Sequence, residues 1–230
     1  YSNNIFILVA TPSLPNGKYD HSQVDSVIKQ IKSFGFQDQK KHLVICCTTM
    51  PTYCDSIREP LEKLNFTVSY NPEFIAQGTI LRDQDKPDMV LIGESDVEAG
   101  DMIQEVYENS TSNEPTFCRM SLTEAEICKI SLNCFLTTKI SFANMVGDIA
   151  INSGVRPDPI LSAISSDSRI SPKYLKYGFG FGGPCFPRDN RALAIYAKEK
   201  GIDAKISVAS DEFNKVHLDY QVQNFIKDKN

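Results

Sequence analysis

Residues 178–189, GFGFGGPCFPRD, place Cys185 at the end of a glycine-rich run and at the start of a predicted helix. Glycines let a backbone approach a ligand closely and adopt dihedrals barred to other residues. A helix N-terminus offers unpaired N–H donors and partial positive charge, which favour thiolate over thiol. Asp189 follows four positions on, so the segment suits a nucleophilic sulfur accompanied by a carboxylate. The competing reading is a glycine loop ending in a buried structural cysteine, the commoner fate of a free thiol.

Two further constellations carry chemistry. Three predicted strands end in a polar residue beside a proline: Thr11-Pro12, Thr48-Thr49-Met50-Pro51 and Asn71-Pro72-Glu73. In an open parallel sheet ligands lie beyond the carboxyl ends of the strands, so these positions are candidates for a cofactor or substrate site. Glu73 suits a general base if the site excludes water, since burial raises a carboxylate's pKa. Thr49 and Asn71 could equally cap turns. Glu126, Lys129, Asn133 and Thr137 recur every three or four residues and share one helical face. Such a stripe is commonly solvated. Here the other positions (Ile127, Ile130, Leu132, Phe135, Ile140) are apolar, as in a helix packed on several sides. Lys129 and Asn133 can then point into a site, where an ammonium and an amide stabilise a developing oxyanion.

The elements that must position these residues follow from periodicity. Apolar runs predict strands over 5–10, 43–48, 66–70, 88–93 and 116–119. Between them, helices are predicted over 23–34, 53–64 (where Pro60 should kink or break the helix) and 96–108. Near-continuous apolar strands alternating with helices indicate an α/β domain with a mostly parallel sheet covered on both faces. After about residue 121 the pattern is wholly helical: 122–152, 157–166, 187–200 and 210–227, the last with Ser210 or Asp211 as N-cap. The expected domains are 1–120, α/β, and 121–230, all-helical; residues 12–22 read as a flexible loop.

The 230 residues have a net charge of -5, which offers no basic surface for nucleic acid. The seven cysteines form no CxxC pair and their number is odd, so neither a zinc site nor a complete disulfide framework fits. A reduced, cytoplasmic protein is expected, with no metal. No apolar run approaches the roughly 20 residues of a membrane span, so no membrane partner is expected.

Together these residues resemble the nucleotide-sugar 6-dehydrogenases, the group that includes UDP-glucose and GDP-mannose dehydrogenases. Residues 71–83, NPEFIAQGTILRD, resemble the family's NPEFL-x-EG-T segment with its following acidic residue. Residues 126–144, EICKISLNCFLTTKISFAN, resemble its central helix, and 178–189 its GFGFGGSCF-x-KD loop. Thr49-Met50-Pro51 resembles its S-T-V-P strand end. The resemblance implies a partial Rossmann-like sheet followed by a helical, 6-phosphogluconate-dehydrogenase-like central domain. It implies oxidation of a sugar C6 hydroxyl to a carboxylate with two NAD per turnover. Cys185 would attack the C6 aldehyde, Lys129 and Asn133 would stabilise oxyanions, and Asp189 with Thr49 would hold a water. Glu73 would assist thioester hydrolysis. Substrate contacts would come from Lys176, Phe181, Gly182, Phe74, Ile75 and Gln77, with Arg169 reaching a neighbouring subunit's substrate. NAD contacts would come from Thr11, Pro12, Thr49, Glu73, Pro184 and Arg188. The implied partners are a nucleotide sugar, UDP-glucose by the GFGFGG wording, and a second copy joined through the long central helix.

The chain departs from the family's pattern at Pro184, where the family has Ser, at Arg188, where it has Lys, and at Gln77, where it has Glu. The family's GxGxxG turn and its C-terminal nucleotide-sugar domain have no counterpart here, so the chain is expected to be part of a longer protein. A non-catalytic dimerisation fragment and a GDP-mannose or UDP-acetamido-sugar enzyme remain alternatives. A cysteine hydrolase would need a histidine base, and His21, His42 and His217 sit at none of the strand ends.

Overall fold

A computed structural model of the protein describes residues 2–35, 39–76 and 78–227. Five strands form one sheet in the order β1 (Asn4–Ile7), β2 (Lys41–Ile45), β3 (Phe66–Tyr70), β4 (Met89–Glu94) and β5 (Thr116–Met120). The pairs β1–β2, β2–β3 and β4–β5 are parallel, and β3–β4 is antiparallel. The carboxyl ends of β1, β2 and β3 therefore open on one edge of the sheet. Helices α1 (Ser22–Ser33), α2 (Tyr53–Glu62), α3 (Ile80–Asp85) and α4 (Val97–Ser110) connect the strands. The long helix α5 (Leu122–Asn152) follows, then α6 (Pro157–Ser165), α7 (Phe186–Glu199) and α8 (Lys205–Lys227). The chain divides into two units, Tyr1–Lys129 and Ile130–Asn230.

In the first unit, alternation along the strands sends apolar side chains to both faces. Leu43, Ile45, Val68 and Tyr70 pack with Val24, Ile28 and Ile31 of α1 and with Cys54 and Leu61 of α2. Leu122 and Ala125, at the start of α5, join the same core. The opposite face buries Val44, Val90 and Ile92 under Ile103 of α4. Gly93 permits the approach of α5 to β4, because a Cβ there would lie 2.8 Å from Cβ of Ala125 and 3.2 Å from Cα of Leu122. In the second unit, Ala143, Leu161 and Leu175 form an apolar cluster. Along α5 the pattern is inverted: Thr137, Ser141 and Asn144 are buried while Phe135, Phe142, Met145 and Ile149 are exposed.

Several boundaries differ from those read in the sequence. β1 stops at Ile7 rather than residue 10 because its partner β2 stops at Ile45, the residue it faces. β2 starts two residues early, at Lys41, whose ammonium is satisfied by the Ser2 carbonyl (3.1 Å), Asn3 Oδ1 (2.9 Å) and Gln39 Oε1 (3.1 Å). Pro60 does not break α2, which continues to Glu62; proline forfeits one bond here, close to the end of the helix. The short α3 carries no buried residue, so no apolar stripe announces it. α8 begins at Lys205, which places Ser210 and Asp211 inside the helix rather than at its N-cap. Ser210 is buried against Thr138 (3.2 Å), and Asp211 pairs with Arg191 (3.1 Å). α5 is long and apolar enough to cross a membrane by length and composition, with a mean hydropathy of 1.2, although no uninterrupted apolar run reaches that length.

One carboxylate ties α5 to β2 and α2. Glu126 is fully buried; its Oε1 accepts from the Thr49 hydroxyl (2.8 Å) and the Cys54 N–H (2.9 Å), and its Oε2 accepts from the Thr52 N–H (2.7 Å). These N–H groups belong to the N-terminus of α2, whose N-cap Thr52 contributes no side-chain bond. Thr52 sits at φ 78°, a left-handed conformation costly for a β-branched residue. Glu126 thus caps α2 from another element and holds the strained turn. Burial raises its pKa, and the three donors oppose that rise. Nearby, the Met50 N–H donates to His21 Nε2 (3.1 Å), and the imidazole stacks on Tyr53 at 3.9 Å. Burial lowers the His21 pKa, against the raising influence of Asp25 and Asp20.

Two outcomes are expected. Glu126→Ala removes the acceptor of three donors, two of them buried, and should destabilise the first unit by about 2–4 kcal/mol, read as a lower urea midpoint; an unchanged midpoint refutes the capping role. His21 favours its neutral form in the fold, so its contribution is full above the ordinary imidazole pKa and is lost as pH falls through the lowered value. Melts from pH 8 to 5 should show a slope that His21→Asn reduces, and an equal slope in the variant excludes this assignment.

Candidate active site

In the first unit the sheet edge collects the strand-end residues. Thr11 is buried and its hydroxyl donates to the Thr48 carbonyl (2.7 Å), linking the segments that follow β1 and β2, while Pro12 is exposed. Asn71 is buried, donates to the Leu91 carbonyl (2.9 Å) and accepts from the Tyr107 hydroxyl (3.0 Å). Thr49 is fully buried and donates to Glu126. The donor of the Thr49 hydroxyl is therefore committed to Glu126. Positions at the carboxyl ends of three parallel strands are nevertheless where α/β sheets accept dinucleotides, so the edge fits NAD.

Beyond β3, Glu73 and Phe74 are half-buried and Ile75 is exposed; Gln77 lies outside the described residues. Lys129, on α5, is buried, donates to the Glu73 carbonyl and lies 4.2 Å from the centre of the Phe74 ring. The structure therefore brings together Lys129, Glu73 and Phe74, through the peptide of Glu73 rather than its carboxylate. The chain after this turn is held by Asp83, which accepts from the Ala76 N–H (2.9 Å) and the Thr79 hydroxyl (2.7 Å).

In the second unit Cys185 is the N-cap residue of α7 and is exposed; Cys47, Cys54 and Cys134 are buried, and Cys46, Cys118 and Cys128 are half-buried. Burial pushes the Cys46 and Cys134 thiols up to about 12, which disfavours their thiolates. All seven cysteines are free. The prolyl ring of Pro187 sits in the first turn of α7, where a missing N–H is tolerated. Asp189, in the same turn, is fully buried; its carboxylate accepts from Asn133 Nδ2 (2.6 Å) and from Arg188 Nε (3.2 Å). Asn133 and Asp189, both expected in the site, are thus joined. Thr137, next on the polar stripe, is buried and accepts from Asn190 Nδ2 (2.9 Å).

The glycine loop precedes Cys185. Gly182, Gly183 and Pro184 are exposed, and Gly183 adopts φ 75°. Phe181 is buried with its ring edge-on to Phe186, and its N–H and C=O are both paired with the Asn214 amide, at 2.8 and 2.7 Å. Its peptide is thus paired with the Asn214 amide, and a Cβ at Gly182 would meet open space. Lys176 is exposed. Arg169 is exposed and grips Asp167 through two bonds (2.9 and 2.6 Å), lowering that carboxyl to about 2. Sequence reasoning placed Glu126 on the polar stripe without a role and missed the loop's anchors Asn144, Asp148 and Asn214. No group of three or more His, Cys, Asp or Glu side chains suited to a metal occurs among the described residues.

Residues 1–111 match the family model described as UDP-glucose/GDP-mannose dehydrogenase family, NAD binding domain, and residues 123–216 match the same family's central domain. A UDP-glucose 6-dehydrogenase of Pseudomonas aeruginosa is 32% identical over 219 residues, covering 91% of this chain and 48% of that protein. A GDP-mannose 6-dehydrogenase of the same organism is also 32% identical, over 209 residues, covering 86% of this chain and 47% of that protein. The solved structure of a UDP-glucose dehydrogenase from Pyrobaculum islandicum superposes with a TM-score of 0.86 at 34% identity, covering 96% of this chain and 52% of that one. The chain spans about half the length of the curated relatives it matches. With consecutive stretches matching two domains of one family in order, the chain belongs to the UDP-glucose/GDP-mannose dehydrogenase family.

Proposed function

We propose that the protein is an NAD-dependent nucleotide-sugar 6-dehydrogenase, most like the UDP-glucose type. The observation that carries the reading is Cys185: the sole exposed thiol among the seven, it stands at a helix N-terminus at the end of the glycine loop. NAD, when bound, accepts a hydride in each of two successive oxidations at C6. The Cys185 sulfur adds to the C6 aldehyde left by the first, forming a carbon–sulfur bond and an alkoxide that takes up a proton. Loss of the second hydride leaves a thioester, and water displaces the sulfur to give the acid. A covalent link retains the aldehyde between the two steps.

Lys129 and Asn133 donate to the oxygen on which charge develops. Asp189, held by Asn133 and Arg188, keeps the Asn133 amide oriented and takes part in proton transfer. Glu73 assists thioester hydrolysis. Lys176, Arg169, Phe74, Ile75, Gln77 and the peptide at Gly182 serve the nucleotide sugar; Thr11, Pro12, Thr49, Glu73, Pro184 and Arg188 serve NAD. We place the boundary between the NAD-binding part and the central part at 120/121, in the gap between the two family matches. The choice of UDP-glucose rests on the wording of the glycine loop, since relatives named for UDP-glucose and for GDP-mannose are equally identical. The exposed row Phe135, Phe142, Met145 and Ile149 on α5 supports a homodimer through that helix.

The product of the complete reading frame, given UDP-glucose and NAD, should release two NADH per acid formed. No NADH with UDP-glucose, GDP-mannose or a UDP-acetamidohexose rejects the assignment. Cys185→Ser should stop acid formation at the aldehyde, and full acid production removes the covalent route. Asn133→Ala should lower kcat by about a hundredfold to a thousandfold, whereas a change confined to KM contradicts the oxyanion role. Phe142→Glu should convert a dimer to a monomer by sedimentation, and a dimer that persists excludes this face.

A further inference from the structure

The backbone of residues 178–181 is held almost entirely by side chains. From α5, Asn144 Oδ1 accepts the Gly178 N–H (3.1 Å) and Asn144 Nδ2 donates to the Phe179 carbonyl (3.4 Å). From α8, the Asn214 amide pairs with both peptide groups of Phe181, as one strand residue pairs with another. Gly180 is required by this clasp, because a Cβ there would lie 2.2 Å from Asn214 Oδ1. The Gly178 carbonyl accepts from Gln221 Nε2 (2.8 Å) and lies 2.7 Å from His217 Nε2.

His217 is fully buried, stacked on Phe213 and edge-on to Tyr177. Its Nδ1 lies 2.8 Å from Asp148 Oδ2, and the Tyr177 hydroxyl donates to the other oxygen of that carboxylate (3.0 Å). The titratable groups facing the ring are therefore Asp148 of α5 and Tyr177 of the loop, with Tyr220 of α8 next to Tyr177. A carboxylate and a peptide carbonyl are both acceptors. The ring can donate to both only when both nitrogens carry hydrogen.

We propose that His217, in its doubly protonated form, is a positioning residue for the Cys185 loop: with Asp148 it bridges α5 and α8 to the Gly178 carbonyl and fixes the loop from which the thiol projects. The catalytic meaning of this rests on the function proposed for Cys185; the clasp itself does not. Loss of one ring proton breaks one of the two bonds, so the pose of the loop is coupled to protonation of a group buried beneath it. The remaining clasps, Asn144, Asn214 and Gln221, hold residues 178–181 through uncharged amides, which assigns the pH sensitivity to the His217–Asp148 pair.

The test combines nitrogen NMR of the 15N-histidine-labelled chain with site-resolved maleimide labelling of Cys185 from pH 6 to 9, normalised to a small-molecule thiol. The expected result is a His217 ring with two slowly exchanging N–H groups, and a labelling profile that inflects at the pH where one of them is lost. His217→Gln should remove that inflection and change the labelling rate at least threefold while melting stays cooperative. Asn214→Asp, a near-isosteric change that keeps the acceptor for the Phe181 N–H, should change the rate yet retain the inflection. A ring bearing one N–H throughout, or an inflection that persists in His217→Gln, overturns the proposal. If His217→Gln fails to fold, the wild-type coincidence of the two transitions still decides. Labelling reads the loop and not turnover, so absence of NADH production would reject the dehydrogenase reading and leave this inference standing.

Discussion

A buried carboxylate with three donors is the constraint on which the first unit depends. Glu126 takes the Thr49 hydroxyl at the end of β2 and two N–H groups at the start of α2. Alone in a protein interior, a carboxylate is heavily penalised by lost hydration. With three short bonds it becomes a rivet that fixes the start of α5 to the turn before α2. Gly93 makes the same junction close on the apolar side. Lys129 follows Glu126 by nearly one turn of α5, and its ammonium reaches the Glu73 carbonyl and the Phe74 face. Holding Glu126 therefore sets where that cation stands.

The second unit solves a related problem for a loop. Glycines at 178, 180, 182 and 183 leave a backbone with little intrinsic preference. Asn144, Asn214, Gln221 and His217 replace that missing preference with bonds to peptide groups. These bonds stop at Phe181, and Gly182, Gly183 and Pro184 are exposed ahead of Cys185. Asp189 and Asn133 then form a buried polar pair in the first turn of α7. A rigid approach, a short exposed stretch and a fixed helix start together define where the thiol stands within this unit.

Much of the fold was legible because its signals are local. The apolar strands 66–70 and 116–119 and the helix 122–152 need only periodicity, and each was found within a residue or so. What was not legible depends on partners distant in sequence. The end of β1 is set by β2, and the early start of β2 by three acceptors around Lys41. The same division runs through the candidate site. Cys185, Lys129, Asn133 and Glu73 could be named from residue type and spacing. The engagement of Thr49 by Glu126 and of the Phe181 peptide by Asn214 could not, since 77 and 33 residues separate those partners.

Amide hydrogen exchange at Thr52 and Cys54 tests the central claim most directly. Amides in the first turn of a helix normally lack acceptors and exchange fast. If Glu126 secures α2 from the side, both should exchange as slowly as the strand amides of β2. Exchange as fast as at Asp158, an exposed residue in the first turn of α6, whose N-cap makes no side-chain bond, would show that the carboxylate does not hold this junction.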